Sequence, residues 1–436
     1  MARSVAGVNA PVCATSIVLV TRFARLLPLC AASVAFALPV SAQENPLTAP
    51  TRALSPAEIA AVEPLLDRAV VTHIEATEFV ELPQVTVVAR ANVGCDVVLA
   101  AARDVASYPA FMPAIDTAVV ESSSPDATSF EWTWQASVLS FRGRTVMTTV
   151  AEGDGRDGFR VVLETHTGDL GRARRVLRAT PVEGAPGRCQ LVLAGRHDVR
   201  DANYIARESA GSALTISRSL SLVLSIATVA RLRGEAERRA GVSRPPLGSV
   251  LGDPRSLAID PASLALLLSR GEVFVLETTD GSDLGTIVGM SRLLSHTPDR
   301  VRHAFFDPVT FCVGLLNGAT LTELARDAGS ARYGWNVDVP FLGSSGELVI
   351  RDVTTDEVEL EAISGAMRGG RIVLGTRPAD GGANTYATLA ARLDPSDGVP
   401  IVAAIESTDP AFRPGLVASG LLMAFRGLRR GLNEGH

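Results

Sequence analysis

The chain has 436 residues, 47% of them hydrophobic and 20% charged, with a formal net charge of −6. This is the composition of a folded protein of two or three domains, and it excludes both a disordered solvating segment and a strongly basic nucleic-acid binder. All 41 basic residues are Arg, and five Cys with six His leave few residues for metal or redox chemistry.

Arg3, Arg22 and Arg25 precede the apolar stretch 26–40, which is followed by Ser41 and Ala42. A basic region, a short apolar core and small residues at Val40 and Ala42 predict a Sec-type signal peptide over 1–42, and so a periplasmic or extracellular protein. Beyond it the charge is near −9, because three Arg and no acid lie in that segment. Cys95, Cys189 and Cys312 remain, an odd and widely spaced set that reads as buried thiols or at most one bridge.

After a linker at 43–54 the chain reads as one unit written twice, over 55–240 and 260–432, with a Gly- and Pro-rich linker at 241–259. Ser55-Pro56 and Asp260-Pro261 each place a capping residue before Pro at a helix start, and Glu58 completes a capping box in the first copy. These helices run to about Arg68 and Ser269. Strands at Val85–Ala91 and Gly285–Ser291 come next, then helices at about Asp96–Ala106 and Pro298–Phe306.

Tyr108-Pro-Ala-Phe111 then parallels Asp307-Pro-Val-Thr-Phe311, and strands follow around Phe130–Trp134 and Arg332–Trp335. Further strands pair off as Thr145–Ala151 with Glu347–Val353, Phe159–Thr165 with Glu357–Ser364, Ala173–Thr180 with Arg371–Arg377, and Gln190–Arg196 with Asn384–Arg392. Each copy closes with a long apolar helix, about Ser209–Arg239 and Pro410–Leu432. Short strands separated by turn clusters favour antiparallel hairpins, so each copy is an α+β layer. The face formed by Leu214, Leu220, Val223, Leu224, Ala227 and Ala230 is expected to meet the first sheet.

Asp104-Val-Ala-Ser-Tyr108-Pro109-Ala-Phe111-Met112-Pro113, set in this order of elements, resembles the START-like superfamily, nearest to its polyketide-cyclase and coenzyme-Q-binding branch. The resemblance implies tandem helix-grip domains, each a curved antiparallel sheet wrapped around its C-terminal helix with an apolar tunnel between them. The second copy lacks the Tyr and the second Pro, so equal ligand binding by both halves is not implied.

Few chemical constellations are present. Gly153-Asp-Gly155-Arg-Asp-Gly158 matches a dinucleotide-loop pattern but is flanked by strands, and reads as a hairpin turn. His296 and His303 lack a third ligand of clear spacing, so no metal or other cofactor is expected. His166 with Asp169, and Arg207 with Glu208, read as loop and capping contacts rather than an acid–base pair. The aromatics say more. Phe130, Trp132 and Trp134 share one strand face, and with Tyr108, Phe111, Met112, Leu220 and Leu224 they are the candidate pocket wall of the first copy. Phe311, Trp335 and Phe341 are their counterparts in the second.

The expected function is binding or transport of a hydrophobic small molecule (a lipid, isoprenoid quinone or polyketide-like compound) in the cell envelope. A di-domain aromatase/cyclase enzyme and a non-binding scaffold are the alternatives. Arg426, Arg429 and Arg430 beside Leu421, Leu422, Met423, Phe425 and Leu428 suggest transient contact with an anionic membrane surface.

Overall fold

The computed structural model describes residues 47, 51–75, 82–136, 139–152, 158–199, 202, 213–242, 254–277, 285–306, 319–337, 343–394, 397–398 and 400–434. The first half opens with helix α1 (Pro56–Val62) and strands β1 (Ala69–Glu75) and β2 (Val85–Ala91). Helices α2 (Cys95–Arg103) and α3 (Tyr108–Phe111) follow. Six strands come next: β3 (Ile115–Ser123), β4 (Ala127–Ala136), β5 (Leu139–Ala151), β6 (Phe159–Gly168), β7 (Arg172–Val182) and β8 (Ala185–Asp198). The half ends in α4 (Ala213–Arg239).

The second half repeats this plan with α5 (Ala265–Leu268), β9 (Gly271–Glu277), β10 (Ile287–Leu293) and α6 (Pro298–Phe306). Its remaining strands are β11 (Ala319–Asp327), β12 (Ser330–Val337), β13 (Ser344–Asp352), β14 (Glu357–Gly365), β15 (Arg371–Ala379) and β16 (Asn384–Arg392). Helices α7 (Pro400–Thr408) and α8 (Phe412–Glu434) close the chain.

The strands form one 16-stranded antiparallel sheet, in the order β11-β12-β13-β14-β15-β16-β10-β9-β1-β2-β8-β7-β6-β5-β4-β3. Read outward from the centre, the two halves have the same order. β1 pairs with β9 from Ala69↔Glu277 to Glu75↔Gly271, a register that is symmetric about its midpoint. That pairing joins two sheets into one and leaves neither central strand as an open edge.

β1 and β9, and also β3 and β11, are not among the strands expected from the sequence. β1 and β9 are buried on both faces over nearly their whole length, so they lack the alternation that marks a half-buried strand. β3 is the outermost strand on its side and mostly exposed, and its apolar residues, Val119 beside Val120 among them, do not alternate.

The capping box forms as expected: Ser55 N–H donates to Glu58 Oε2 at 2.7 Å, and Glu58 N–H to Ser55 Oγ at 3.3 Å. α1 and α5, with the turns that adjoin them, cover the outer face of the central strands with Val62, Leu66, Leu264 and Leu267 against Val71, Val275 and Met290. On the inner face lie α4 and α8. Leu222, Ile226, Val229, Leu232 and Ala236 of α4 and Leu421, Phe425 and Leu428 of α8 join the main core with Val87, Leu191, Phe274 and Leu389.

Part of the face of α4 expected on the first sheet, Leu224, does meet it, and part is turned elsewhere. Val223 and Ala227 pack instead with Ala411 and Phe412 of the second half. The helix has two partners, the sheet and α8, so it is apolar on more than one side and its Leu pattern alone does not say which side meets the sheet. The two helices come close at Gly415, where a Cβ would stand 2.7 Å from the Val223 Cα.

Cys95 and Cys189 form a disulfide linking the start of α2 to β8. At the matching place in the second half, Thr385 Oγ1 donates to the His296 carbonyl at 2.6 Å. Cys312, Phe311, Phe341, Arg207, Glu208, Leu214's side chain and the 153–157 turn lie outside the described residues.

Candidate functional site

The inner face of the first sheet is set by strand alternation. Phe130, Trp132 and Trp134 of β4 lie opposite Thr145, Gly143 and Phe141 of β5. Thr145 lies opposite Thr165 of β6, Leu163 opposite Arg175 of β7, and Arg175 opposite Gly195 of β8. Between these strands and α4 is a cavity of about 120 Å³, walled by Tyr108, Met112, Phe130, Trp132, Trp134 and Leu224 among others.

Small residues make room for large ones in this wall. A Cβ on Gly143 would sit 2.2 Å from the Trp132 ring, so the indole lies directly across that glycine. Its Nε1–H donates to Thr145 Oγ1 at 3.0 Å, and Thr145 in turn shares a 2.9 Å hydrogen bond with Thr165 Oγ1. The Tyr108 ring meets Phe130 and Phe111 edge-on at 5.7 and 5.6 Å. Its hydroxyl donates to the Ala102 carbonyl, and burial raises its pKa, so it stays neutral.

Arg175, His197 and Thr228 also line the cavity. Arg175 stands in line with Ala173, Leu177 and Ala179, the apolar face of β7, all three of them buried. Half-buried Arg175 lines the cavity, and enclosure by protein pushes its pKa down to about 10, so it keeps its charge. His197 Nε2 is 2.8 Å from the Leu170 carbonyl and therefore carries the hydrogen. Burial, and then the Arg175 charge, push its pKa down to about 4, leaving the imidazole neutral at pH 7.

The mouth is shared between the halves. Met112 and Ile115 border both the cavity and an outer cleft of about 560 Å³, which also touches Phe111, Arg231, Thr408 and Asp409. Arg231 Nε donates to both Asp409 carboxylate oxygens, at 3.0 and 3.1 Å. Phe412 meets Trp134 edge-on at 6.0 Å, so a second-half side chain backs the first-half wall.

Another recess, of about 360 Å³, lies on the opposite face of β6–β8 under Thr51–Leu54. Of its cations, Arg174 pairs with Glu164 at 3.0 Å and Arg178 with Glu152 at 3.5 Å.

Of the residues singled out in the sequence, Tyr108, Met112, Phe130, Trp132, Trp134 and Leu224 meet at the cavity. Phe111 lies instead at the outer cleft, and Leu220 one turn before the stretch of α4 that lines the cavity, where Leu224 and Thr228 take part. Trp335 lies in the second half against Gly346, whose Cβ would stand 3.0 Å from the indole Nε1. Asp169 accepts from the Arg142 backbone N–H at 2.8 Å, and His166 is exposed. His296 and His303 hydrogen-bond to Asn433 Oδ1 and the Asp299 carbonyl, at 3.1 and 2.8 Å.

The apolar residues expected beside a membrane are interior instead: Leu421, Leu422, Phe425 and Leu428 are buried, and Arg429 pairs with Glu272 and with Ser291 Oγ. An apolar stripe along a helix does not by itself distinguish a core face from a lipid face.

Arg175, His197, Thr145, Thr165 and Leu163 were missed. The signal for Arg175 was present in β7, where 173, 177 and 179 are Ala, Leu and Ala and the residue sharing their face is Arg.

The sheet order, a long helix laid on the inner face of each half and the cavity beneath α4 together define the architecture. The fold is a tandem helix-grip. No protein-family model and no curated protein matches the chain. Among solved structures it is similar to START-type proteins. A STAR-related lipid transfer protein from Xanthomonas axonopodis is 13% identical with a TM-score of 0.32, over 38% of this chain and 93% of that one. The di-domain aromatase/cyclase StfQ of the steffimycin biosynthetic pathway is 11% identical with a TM-score of 0.26, over 80% of this chain and 98% of that one. The aromatase/cyclase Zhui from Streptomyces sp. R1128 is 19% identical with a TM-score of 0.30, over 37% and 99%. At these values the tandem helix-grip fold is argued from the strand ladder, and nothing about function is carried over.

Proposed function

We propose that the first half binds and carries a hydrophobic small molecule in the cell envelope. The observation that carries this reading is the aromatic-walled cavity between β4–β8 and α4, with a few fixed polar groups among apolar ones. Its volume of about 120 Å³ compares with the roughly 150 Å³ of an engineered apolar cavity that takes up benzene. As it stands it holds a group of about one ring, and a larger ligand enters by displacing Met112 and Ile115 toward the outer cleft. Export is supported by the basic and apolar pattern of residues 1–42 and by the Cys95–Cys189 bridge, a bond favoured in oxidising compartments.

The test is calorimetric titration with a neutral two-ring probe, 2-naphthamide. The expected result is saturable binding of one molecule per chain, abolished by Leu224→Trp, which fills the cavity. A wild-type protein that takes up no probe refutes the reading.

A further inference from the structure

The two halves provide an internal comparison, because their ladders match residue for residue. Val85 pairs with Gly195 as Ile287 pairs with Ala391, and Gly195 with Arg175 as Ala391 with Ile372. Arg175 pairs with Leu163 as Ile372 with Leu360, and Thr145 with Thr165 as Leu348 with Ala362. Trp132 lies opposite Gly143 as Trp335 lies opposite Gly346. The Trp–Gly pair is thus kept in both halves while the polar groups are not. Where the first half has Thr145, Thr165 and Arg175, the second has Leu348, Ala362 and Ile372. His197, two residues beyond Gly195, corresponds to Leu393, two beyond Ala391. The fold therefore does not require a cation at the Arg175 position.

Arg175 is also held there without a counter-charge. Among the described residues no carboxylate lines the cavity, and the guanidinium has no ion pair or hydrogen-bond partner. Asp198, next to His197 in sequence, lies on the opposite strand face and pairs with Arg172 at 3.6 Å. The Arg175 stem crosses Gly195, where a Cβ would stand 2.8 Å from its Cγ, so the residue opposite is one that leaves it space. A buried charge without a partner is costly, and a planar carboxylate that accepts two parallel N–H bonds offsets that cost in a way a neutral group cannot.

Resting on the binding function proposed above, we propose that this cavity selects hydrophobic molecules bearing one carboxylate, with Arg175 as its receptor and the Trp132, Trp134 and Phe130 rings enclosing the apolar body. A phosphate monoester fits less well. It carries more charge than one Arg offsets, and its remaining oxygens would face Leu163 and Leu170.

The experiment compares 2-naphthoate, 2-naphthamide and 2-naphthyl phosphate by calorimetry on the full chain. Wild type is expected to bind naphthoate roughly ten- to a hundredfold more tightly than the amide, the range for a hydrogen-bonded charge, and more tightly than the phosphate. In Arg175→Ile, which installs the second-half residue, and in Arg175→Gln, naphthoate affinity should fall to that of the amide while amide affinity stays within about twofold. Arg175→Lys should retain part of the preference. Thermal melting checks that each variant is folded.

Equal affinity of wild type for naphthoate and amide, a naphthoate preference that survives in a folded Arg175→Ile or Arg175→Gln, or a preference for the phosphate overturns the proposal and leaves the cavity reading standing. Binding of none of the probes removes both.

Discussion

Trp132 shows how much a single residue can be read in advance. Period-two spacing places it on one strand face with Phe130 and Trp134, and the three do line one wall. What spacing cannot show is the partner across the ladder, Gly143, over which the indole lies, or the hydroxyl of Thr145 that accepts its N–H. Arg175 was hidden for a different reason. It sits in the run Arg172-Ala-Arg-Arg-Val-Leu-Arg178, which reads as a solvated strand face until alternation is checked residue by residue.

At the same scale lie two buried histidines, with a consequence for acid stability. His73 Nε2 donates to the Leu267 carbonyl at 3.2 Å, and burial pushes its pKa down to about 4, as it does for His197. Both are neutral in the folded protein, whereas in the unfolded chain they take up a proton near pH 6.5. Their contribution to stability is complete above about 6.5 and is lost as the pH falls toward 4, at up to about 1.4 kcal/mol per pH unit for each. Urea melts between pH 7.5 and 4.5 should show this decline, and His73→Gln should make it shallower. A stability profile that is flat over that range, with the histidines in place, contradicts their burial as neutral groups.

Among the elements, the two long helices were legible in length and position but not in orientation. α4 has two partners, so its Leu and Ala residues form more than one stripe, and only three-dimensional structure assigns Leu222 and Ile226 to the sheet and Val223 and Ala227 to the second half. The contact between α4 and α8 depends on a small residue. A Cβ on Gly415 would stand 2.7 Å from backbone at Val223, whereas one on Gly420, a turn further along and exposed, would meet nothing within 4 Å. Gly415→Ala is expected to cost about 1–3 kcal/mol as the helices are forced apart. Gly420→Ala should gain about 0.5–1 kcal/mol from helix propensity. Chemical denaturation measures both, and equal effects at the two sites would place the helix crossing elsewhere.

For the whole molecule, the duplication was visible in the order of elements, but the way its two copies join was not. The joining strands β1 and β9 carry buried residues on both faces, so no alternation announces them. Once joined, the halves are unequal. The first has a cavity with Arg175, His197, Thr145 and Thr165 on its inner face, and the second fills the matching positions with Ile372, Leu393, Leu348 and Ala362. The second half also supplies Asp409 to the cleft outside the cavity and Phe412 to the back of Trp134. One copy thus carries the cavity and the other supports its wall and mouth.

The most direct measurement is a crystal structure of the full chain with 2-naphthoate. The account predicts one molecule per chain, its rings between Trp132, Trp134 and Leu224 and its carboxylate on the Arg175 guanidinium. Occupancy of the outer recess beneath Thr51–Leu54, or of the second half beside Trp335, with the first-half cavity empty, would contradict it.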